Sequence, residues 1–241
     1  MYSILKESSN SESSESQGKE LSDDECIMDT LLMLFGGFDT TSHLVVSLLY
    51  QLKANPSKLD KLMEELNKYE ITQINELSSD KKKDAFQNCD YLYYCIKEAL
   101  RIDNPAEASL FYKTLDDISI CNVPISKGET VSVNLVYPHY NCDNYYNAFE
   151  YIPERFDPSS KYFMRPSNPS LPRDPKSFIP FSLGPRNCAG QVLAKLESKV
   201  ILSRILTRIE FEIDPEIMKY EHKRFNLIEK EELKATVLKI K

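Results

Sequence analysis

The sequence predicts a mainly helical protein with small β-sheets, an α+β fold, from three observations. Apolar residues recur at helical spacing in long segments toward both ends of the chain. Between these segments, residues 118–135 contain short runs in which apolar and polar side chains alternate, as they do in strands with one buried face. The stretch 137–180 is rich in proline and aromatic residues and has neither period. It is too long for an ordinary connection, so we expect a packed, ordered meander.

The composition excludes several classes of function. The 241 residues carry a net charge of −7, which argues against a nucleic-acid-binding protein. The most apolar segment, 27–52, is interrupted by Asp29, Asp39 and His43, so no membrane span is predicted there. The polar N-terminus does not resemble a signal peptide. Six cysteines at irregular spacings, with no C-x-x-C pair, favour reduced thiols and a cytosolic setting.

The first 21 residues are predicted to be a disordered Ser/Glu-rich linker, because the run S-S-N-S-E-S-S-E-S cannot bury apolar area. A phosphorylated regulatory tail is the alternative. Ser22 and Glu25 then form an S-x-x-E capping box, which predicts a long helix over residues 23–53. Pro56 marks the start of a second helix.

The remaining elements follow from periodicity and turn residues. We expect a charged loop over Ser78–Asp84, a helix over Asn88–Ile102, and strands at Ile118–Cys121 and Thr130–Leu135 joined by the turn Ser126–Glu129. We also expect a helix over Val192–Arg208 with Leu193, Leu196, Val200 and Ile201 facing inward, and a last small sheet made of Phe211–Ile213 and Ala235–Ile240.

One short loop concentrates the residues on which the functional interpretation depends. Residues 181–190 read F-S-L-G-P-R-N-C-A-G, so that Cys188 is flanked by two glycines and preceded by Arg186. Glycines let a backbone approach a large flat group, because they lack the Cβ that would obstruct it. A helix that starts just after the loop would favour the thiolate form of the cysteine. The arginine would pair with an anionic group. A buried cysteine in a turn is the alternative.

This loop resembles the haem-binding loop of the cytochrome P450 family, F-x-x-G-x-R-x-C-x-G. Every specified position is matched, by Phe181, Gly184, Arg186, Cys188 and Gly190. The resemblance implies that Cys188 is the axial thiolate ligand of the iron of haem b, and that the other four residues bind the cofactor. It also implies that residues 22–241 are the C-terminal haem-binding region of that fold, a partial domain, because family members are usually much longer.

A second motif lies within the first long helix, where residues 36–41 read G-G-F-D-T-T. Two glycines in a helix cost about 1 kcal/mol each relative to alanine. Asp39, Thr40 and Thr41 also compete for backbone hydrogen bonds. Local rules that are broken together often mark a functional site, although a helix–helix contact at the glycines would explain them as well.

The segment resembles the distal-helix motif of the same family, A/G-G-x-D/E-T-T. The resemblance implies that Gly36 and Gly37 leave room for dioxygen at the haem. It further implies that Thr40 donates a hydrogen bond to dioxygen and that Asp39 relays protons, as a general acid does. A local opening of the helix at this place would let a water or hydroxyl group insert.

Two further pieces resemble scaffold motifs of the family. Glu98 and Arg101 form its E-x-x-R motif, and Arg155 lies in its P-E-R-F segment. The resemblance implies that these three residues form a buried charged network with a structural role. His139 lies where the family often has a basic residue that reaches a haem propionate, and a structural histidine is the alternative. Lys113 is the nearest basic residue for another propionate contact, but it is displaced from the family position.

Residues 165–208 contain eight basic residues and only two acidic ones. The basic residues are Arg165, Arg173, Lys176, Arg186, Lys195, Lys199, Arg204 and Arg208, and the acidic ones are Asp174 and Glu197. The resemblance places this stretch on the thiolate side of the haem, where it would meet an acidic electron-donating reductase. A solvated surface is the alternative.

The resemblance at these residues implies a haem-thiolate monooxygenase that inserts one oxygen atom of O2 into a lipophilic small-molecule substrate. The alternatives are a truncated, non-catalytic haem-binding fragment without a complete substrate pocket, and an enzyme that rearranges hydroperoxides. We expect a cytosolic-facing protein. The resemblance implies that any association with the endoplasmic reticulum membrane would come from an N-terminal half that is absent here.

Overall fold

The computed structural model describes residues 21–71, 79–218 and 234–240, and it confirms a mainly helical fold with small sheets. The helices in these ranges are α1 (Asp23–Ala54), α2 (Pro56–Lys68), α3 (Ser79–Asn88), α4 (Asp90–Ile102), α5 (Gln191–Arg208) and α6 (Pro215–Met218). The strands are β1 (Tyr112–Lys113), β2 (Ile118–Ile120), β3 (Val123–Ile125), β4 (Thr130–Val131), β5 (Ile209–Ile213) and β6 (Ala235–Ile240). The predicted linker, apart from Leu21, lies outside the described residues.

Helix α1 begins at the predicted capping box. The Ser22 hydroxyl accepts a hydrogen bond from the Glu25 amide at 3.2 Å, and the Glu25 carboxylate accepts one from the Ser22 amide at 2.8 Å. The second half of α1 is buried, whereas its first half exposes large apolar side chains from Ile27 to Phe38. By length and composition alone, α1 is apolar enough to cross a membrane, although a core helix can meet the same criterion.

The core lies where α1 packs against α4 and α5. Its fully buried side chains come from all three helices and include Leu48, Leu52, Leu92, Ile96 and Leu202. Helix α2 adds Leu62 and Leu66 to the same cluster. Because α1 and α4 pack against each other in this core, the residues at their contact are held at a fixed separation, and this framework positions the site described below.

The predicted charged loop at Ser78–Asp84 is wrong over its described part, because residues 79–88 form helix α3. The prediction failed because α3 has little apolar periodicity. Ala85 is buried, whereas Asp80, Lys81 and Asp84 face solvent. The helix is tied to α5 by Lys199, whose Nζ donates to the Phe86 carbonyl at 2.9 Å. Tertiary contacts therefore stabilise a helix that the local pattern does not indicate.

The predicted pairing of Ile118–Cys121 with Thr130–Leu135 is also wrong. Strand β2 pairs with β3 through a tight turn in which Cys121 and Asn122 have φ values of 52° and 65°, the left-handed region that two-residue hairpin loops use. Strand β4 pairs instead with β1, and the turn at Ser126–Glu129 connects β3 to β4. The regular strand ends at Val131, and Val133 is 52% exposed, so the predicted buried face is only partly present.

Helix α5 has the predicted bounds within one residue but not the predicted inner face. The four residues expected to face inward are each 37–52% exposed: Leu193, Leu196, Val200 and Ile201. The buried positions are instead Ser198, Leu202, Ser203 and Leu206. Two serines can occupy the contact face because their hydroxyls donate back to the helix carbonyls of Ala194 and Val200.

The meander and the last sheet are as predicted. Residues 137–180 form an ordered chain of short 3₁₀ helices at Tyr137–Tyr140, Pro153–Phe156, Lys161–Phe163 and Pro175–Ser177. Strands β5 and β6 pair antiparallel from Ile209–Ile240 to Ile213–Ala235. The 3₁₀ helix at Pro153–Phe156 packs directly against α4, which brings the middle of the meander onto the helical core.

The stability of this packing is expected to fall in acid through Glu154. Burial raises the pKa of this carboxyl, but hydrogen bonds from Lys61 and Lys58, each 3.0 Å long, outweigh burial and lower the pKa to about 2. A carboxylate with a depressed pKa stabilises the folded state above its ordinary pKa of 4.5, and that contribution is lost as the pH falls toward 2. Glu154→Gln is therefore expected to cost about 1 kcal/mol at neutral pH, because solvent screens the half-exposed Lys61.

Urea unfolding of the natural protein and the Glu154→Gln variant, at pH 7 and near pH 2.5, measures this contribution. The difference in unfolding free energy should shrink toward zero at the lower pH. A difference of the same size at both pH values would contradict the ion-pair explanation.

Candidate active site

A cavity of about 360 Å³ lies between α1, the segment that follows α4, and the cysteine loop. Its lining is largely apolar and includes Leu44, Leu100, Leu135 and Phe181. A few polar groups converge on it from three different parts of the chain. Its volume and lining are typical of a site for a small molecule or an organic cofactor.

The cysteine loop is a series of tight turns that ends at helix α5. Gly184 has a φ of 82°, which favours glycine, and the Cys188 amide donates to the Phe181 carbonyl at 2.9 Å. The Cys188 side chain is exposed and lines the cavity, as does Arg186. A Cβ at Gly190 would lie 3.9 Å from the Cys188 sulfur, in ordinary contact. The loop therefore presents its thiol to the cavity, and the alternative of a buried cysteine does not apply.

One face of α1 forms another part of the wall. Gly36, Thr40 and Leu44 recur every four residues and all line the cavity. A Cβ at Gly36 would meet no protein atom within 4 Å, so a side chain there would occupy open space. Gly37 and Asp39 lie off this face and are not among the lining residues that the structure describes, although Asp39 is half-buried beside it.

The expected opening of the helix at this segment is not observed. Helix α1 runs without interruption through residues 36–41, and the Thr40 hydroxyl donates to the Gly36 carbonyl at 2.7 Å. The Thr40 hydroxyl proton is therefore used within the helix, whereas in an opened helix it would be available to a water molecule. The Thr40 side chain therefore has a hydrogen-bond partner in its own helix and still lies at the cavity wall.

No functional role was predicted from the sequence for two polar residues of this wall. Thr41 is 7% exposed and lines the cavity, and its Oγ1 makes no hydrogen bond to any described residue. Asn104 also lines the cavity, and its side-chain amide donates to the Ala106 carbonyl at 2.7 Å. The signal for Asn104 was the dipeptide Asn104–Pro105 at the end of α4, which ends the helix and turns the chain.

Glu98, Arg101 and Arg155 are brought together in the interior, each with its side chain fully buried. The Glu98 carboxylate accepts hydrogen bonds from both guanidinium groups at 2.8–2.9 Å, and also from the Ile152 amide at 2.9 Å. With one anion and two cations, the group is buried with a net positive charge. That excess is offset by backbone carbonyls of the meander, to which both arginines donate.

Tyr145 lies beside this network and joins it to the chain before the cysteine loop. The Arg101 guanidinium lies 5.0 Å from the centre of the Tyr145 ring, and the Tyr145 hydroxyl donates to the Ser177 carbonyl at 3.1 Å. The place of Tyr145 in the network was not predicted from the sequence. An aromatic residue between two scaffold motifs was its only signal.

His139 lies within the meander and is not among the cavity-lining residues that the structure describes. It is fully buried, its Nε2 accepts a hydrogen bond from the Ile179 amide at 3.0 Å, and its carbonyl accepts one from Arg101. The geometry thus favours the structural alternative over contact with a cofactor. Lys113, in β1, is exposed and likewise lies outside the lining.

The residues present fit a haem with a thiolate ligand. A free thiol faces a largely apolar cavity, and Arg186 lies on its wall, where it could pair with the carboxylates of such a group. Gly36 leaves open space at the wall, into which any side chain at this position would project. The described residues contain no cluster of three or more His, Cys, Asp or Glu residues that could hold a metal ion.

Comparison with known proteins supports the same family. A model of the Cytochrome P450 family matches residues 1–236. The chain is 32% identical over 209 residues to "Cytochrome P450 4F8" of Homo sapiens, which covers 85% of this chain and 36% of that protein. It is 35% identical over 179 residues to "Probable cytochrome P450 12b2, mitochondrial" of Drosophila melanogaster, covering 72% and 32%. The chain therefore spans about a third of the length of the curated relatives it matches.

Proposed function

The chain belongs to the cytochrome P450 family, and we propose that it forms the haem-binding part of a monooxygenase that inserts one oxygen atom of O2 into a lipophilic substrate. The observation that carries the proposal is the shared cavity, to which the cysteine loop contributes Cys188 and α1 contributes Gly36 and Thr40. Two sequence motifs separated by about 150 residues thus meet at one cavity. Neither motif needs to lie at a shared cavity for structural reasons alone.

Five residues of the cysteine loop would hold the cofactor. Cys188 would bind the iron of haem b as a thiolate, and Arg186 would neutralise a propionate. Phe181 would pack against the cofactor near the thiolate, since it lines the cavity and its carbonyl accepts a hydrogen bond from the Cys188 amide. Gly184 and Gly190 would permit the turn and the close approach of the loop. The haem, when bound, supplies the activation of dioxygen.

The polar residues of α1 would transfer protons at this site. Thr40 places a hydroxyl at the cavity wall, and half-buried Asp39 lies next to it in sequence but off the lining face. An acid in that position can exchange protons between solvent and the hydroxyl beside it. The apolar lining would limit bulk water and receive a lipophilic substrate, which makes a defined route for protons useful.

Removal of the Thr40 hydroxyl is expected to separate oxygen consumption from product formation. In Thr40→Ala, product formed per NADPH should fall about tenfold, whereas Thr40→Ser should keep most of it. Asp39→Asn should slow turnover by about 10²-fold. Thr30→Ala is a matched control, because the Thr30 hydroxyl makes the same bond to a carbonyl four residues earlier, at 2.7 Å, outside the cavity.

The assay uses haem-loaded protein, a reductase, NADPH and a panel of lipophiles, with product and hydrogen peroxide measured together. An unchanged product yield in both Thr40→Ala and Asp39→Asn would contradict the proposed roles.

We place the docking face for the electron donor beside the cysteine loop. Lys97, Arg173 and Lys195 each lie over an aromatic ring, with Lys195 5.1 Å from the Phe181 ring. None of the three forms an ion pair with a carboxylate in the described part of the chain. Burial, together with the charges of Arg173 and Lys195, lowers the pKa of Lys97 to about 8. Cations that repel one another would gain from an acidic partner, and such attraction speeds association.

Charge reversal on this face is expected to slow reduction by an acidic donor. The double substitution Lys97→Glu and Lys195→Glu should lower the second-order rate of electron transfer about tenfold at low salt, and less at high salt because ions screen the attraction. Lys127→Glu is the control, since Lys127 is an exposed lysine on the turn between β3 and β4. Equal effects of the two changes would contradict a localised docking face.

A haem-binding fragment without catalytic activity is the second candidate. It is favoured by the exposed apolar side chains on the first half of α1 and on α5, which leave part of the apolar surface uncovered. Haem binding without oxidation of any lipophile would favour this candidate. We place the protein on the cytosolic side of the cell, which accords with its six free cysteines.

A further inference from the structure

A buried histidine and a buried aspartate meet between α1 and the end of α4. Nε2 of His43 lies 3.2 Å from Oδ1 of Asp103, and the two side chains are 6% and 4% exposed. His43 lies three residues after Thr40 on α1, and Asp103 caps the C-terminus of α4. Neither residue belongs to the motifs on which the proposed function rests.

The pair joins the two sides of the cavity without lining it. On α1, Thr41 lies two residues before His43 and Leu44 directly follows it, and both line the cavity. On the other side, Asp103 immediately precedes Asn104 and Pro105, which also line it. The contact therefore lies directly behind two adjacent parts of the wall, and any change in the separation of His43 and Asp103 would move both.

An aspartate at this place is unfavourable unless another group compensates for it. The C-terminus of α4 presents partial negative charge, which repels a carboxylate. Burial adds the cost of removing the carboxylate from water. The imidazole of His43 faces Asp103 from α1 and helps to offset both costs while the two helices keep their spacing. The energetic penalty for separating them is what makes the pair suitable as a spacer.

We propose that His43 and Asp103 are a positioning pair that fixes the width of the cavity between α1 and residues 104–106, and so selects the size of the lipophile that fits. This proposal rests on the proposed function. A bulky lipophile, which touches both walls, should depend on the pair, whereas a small ligand of the iron should not.

The test compares the binding of 4-phenylimidazole and imidazole to the haem-loaded protein by the shift of the Soret band. Both probes bind iron through the same ring nitrogen, but only the first also needs the cavity walls. In His43→Leu and in Asp103→Asn we expect the dissociation constant of phenylimidazole to change about tenfold and that of imidazole to change less than twofold. His43→Gln keeps an N–H donor and should restore phenylimidazole binding to within about threefold.

A second readout needs no haem. Urea unfolding of the haem-free chain, with His43→Leu, Asp103→Asn and the double variant, should give a coupling between the two residues of about tenfold in the folding equilibrium constant. Equal effects of the single variants on both probes, or unfolding effects that simply add, would overturn the proposal. If neither probe shifts the Soret band of the natural protein, the proposed function itself fails.

Discussion

Replacement of Cys188 by alanine is expected to abolish the strongly red-shifted Soret band that reduced, thiolate-ligated haem gives with carbon monoxide. The band depends on electron donation from an axial thiolate, and Cys188 is the one cysteine among the lining residues that the structure describes. The loss should be complete rather than partial, because alanine offers no ligand and the neighbouring lining residues Asn187 and Ala194 offer no thiol. The measurement is a reduced carbon monoxide difference spectrum of the haem-loaded protein.

Two further variants make this result specific. Cys188→His should retain a nitrogen-ligated haem, so that total haem stays measurable while the red-shifted band is replaced by one at an ordinary position. Cys142→Ala is the matched control, since Cys142 is also exposed and free but lies outside the cavity lining. A red-shifted band that persists in Cys188→Ala would remove the assignment of the axial ligand.

The candidate site could be predicted from sequence to the extent that its residues lie at fixed offsets on one element. Phe181, Arg186 and Cys188 are close in sequence, so a loop that turns tightly must bring them to one place. Helical periodicity likewise places Gly36 and Thr40 on one face, and the structure finds both at the cavity. The same periodicity explains why Asp39 does not line it, a distinction that the motif alone did not make.

What the sequence did not predict depends on contacts between distant segments. The inner face of α5 contains Ser198 and Ser203, because its neighbours in space rather than its own periodicity decide which side is buried. Strand β4 pairs with β1 across an intervening hairpin, which no local rule specifies. The same is true of the His43–Asp103 contact, in which the partners are separated by 60 positions in the chain.

Substitution of Glu98 by glutamine is expected to destabilise the fold by about 3–5 kcal/mol, the usual cost of breaking a buried ion pair from one side. The carboxylate accepts from both Arg101 and Arg155, and all three side chains are fully buried. A neutral amide would leave two guanidinium groups without an anion. The NH2 group of the introduced amide would also face N–H donors, from which it cannot accept hydrogen bonds. Chemical unfolding of the haem-free chain measures the loss.

Glu154→Gln is the matched control, because Glu154 is also bonded by two cations, but by lysines that solvent reaches. Its cost should stay near 1 kcal/mol. The network should also affect the cofactor, since Arg101 bonds the His139 carbonyl while the His139 ring accepts from Ile179, just before the cysteine loop. Glu98→Gln should therefore lower haem occupancy at equal protein concentration, whereas Glu154→Gln should not. Equal losses of stability in the two variants would show that burial of the network contributes nothing beyond an ordinary ion pair.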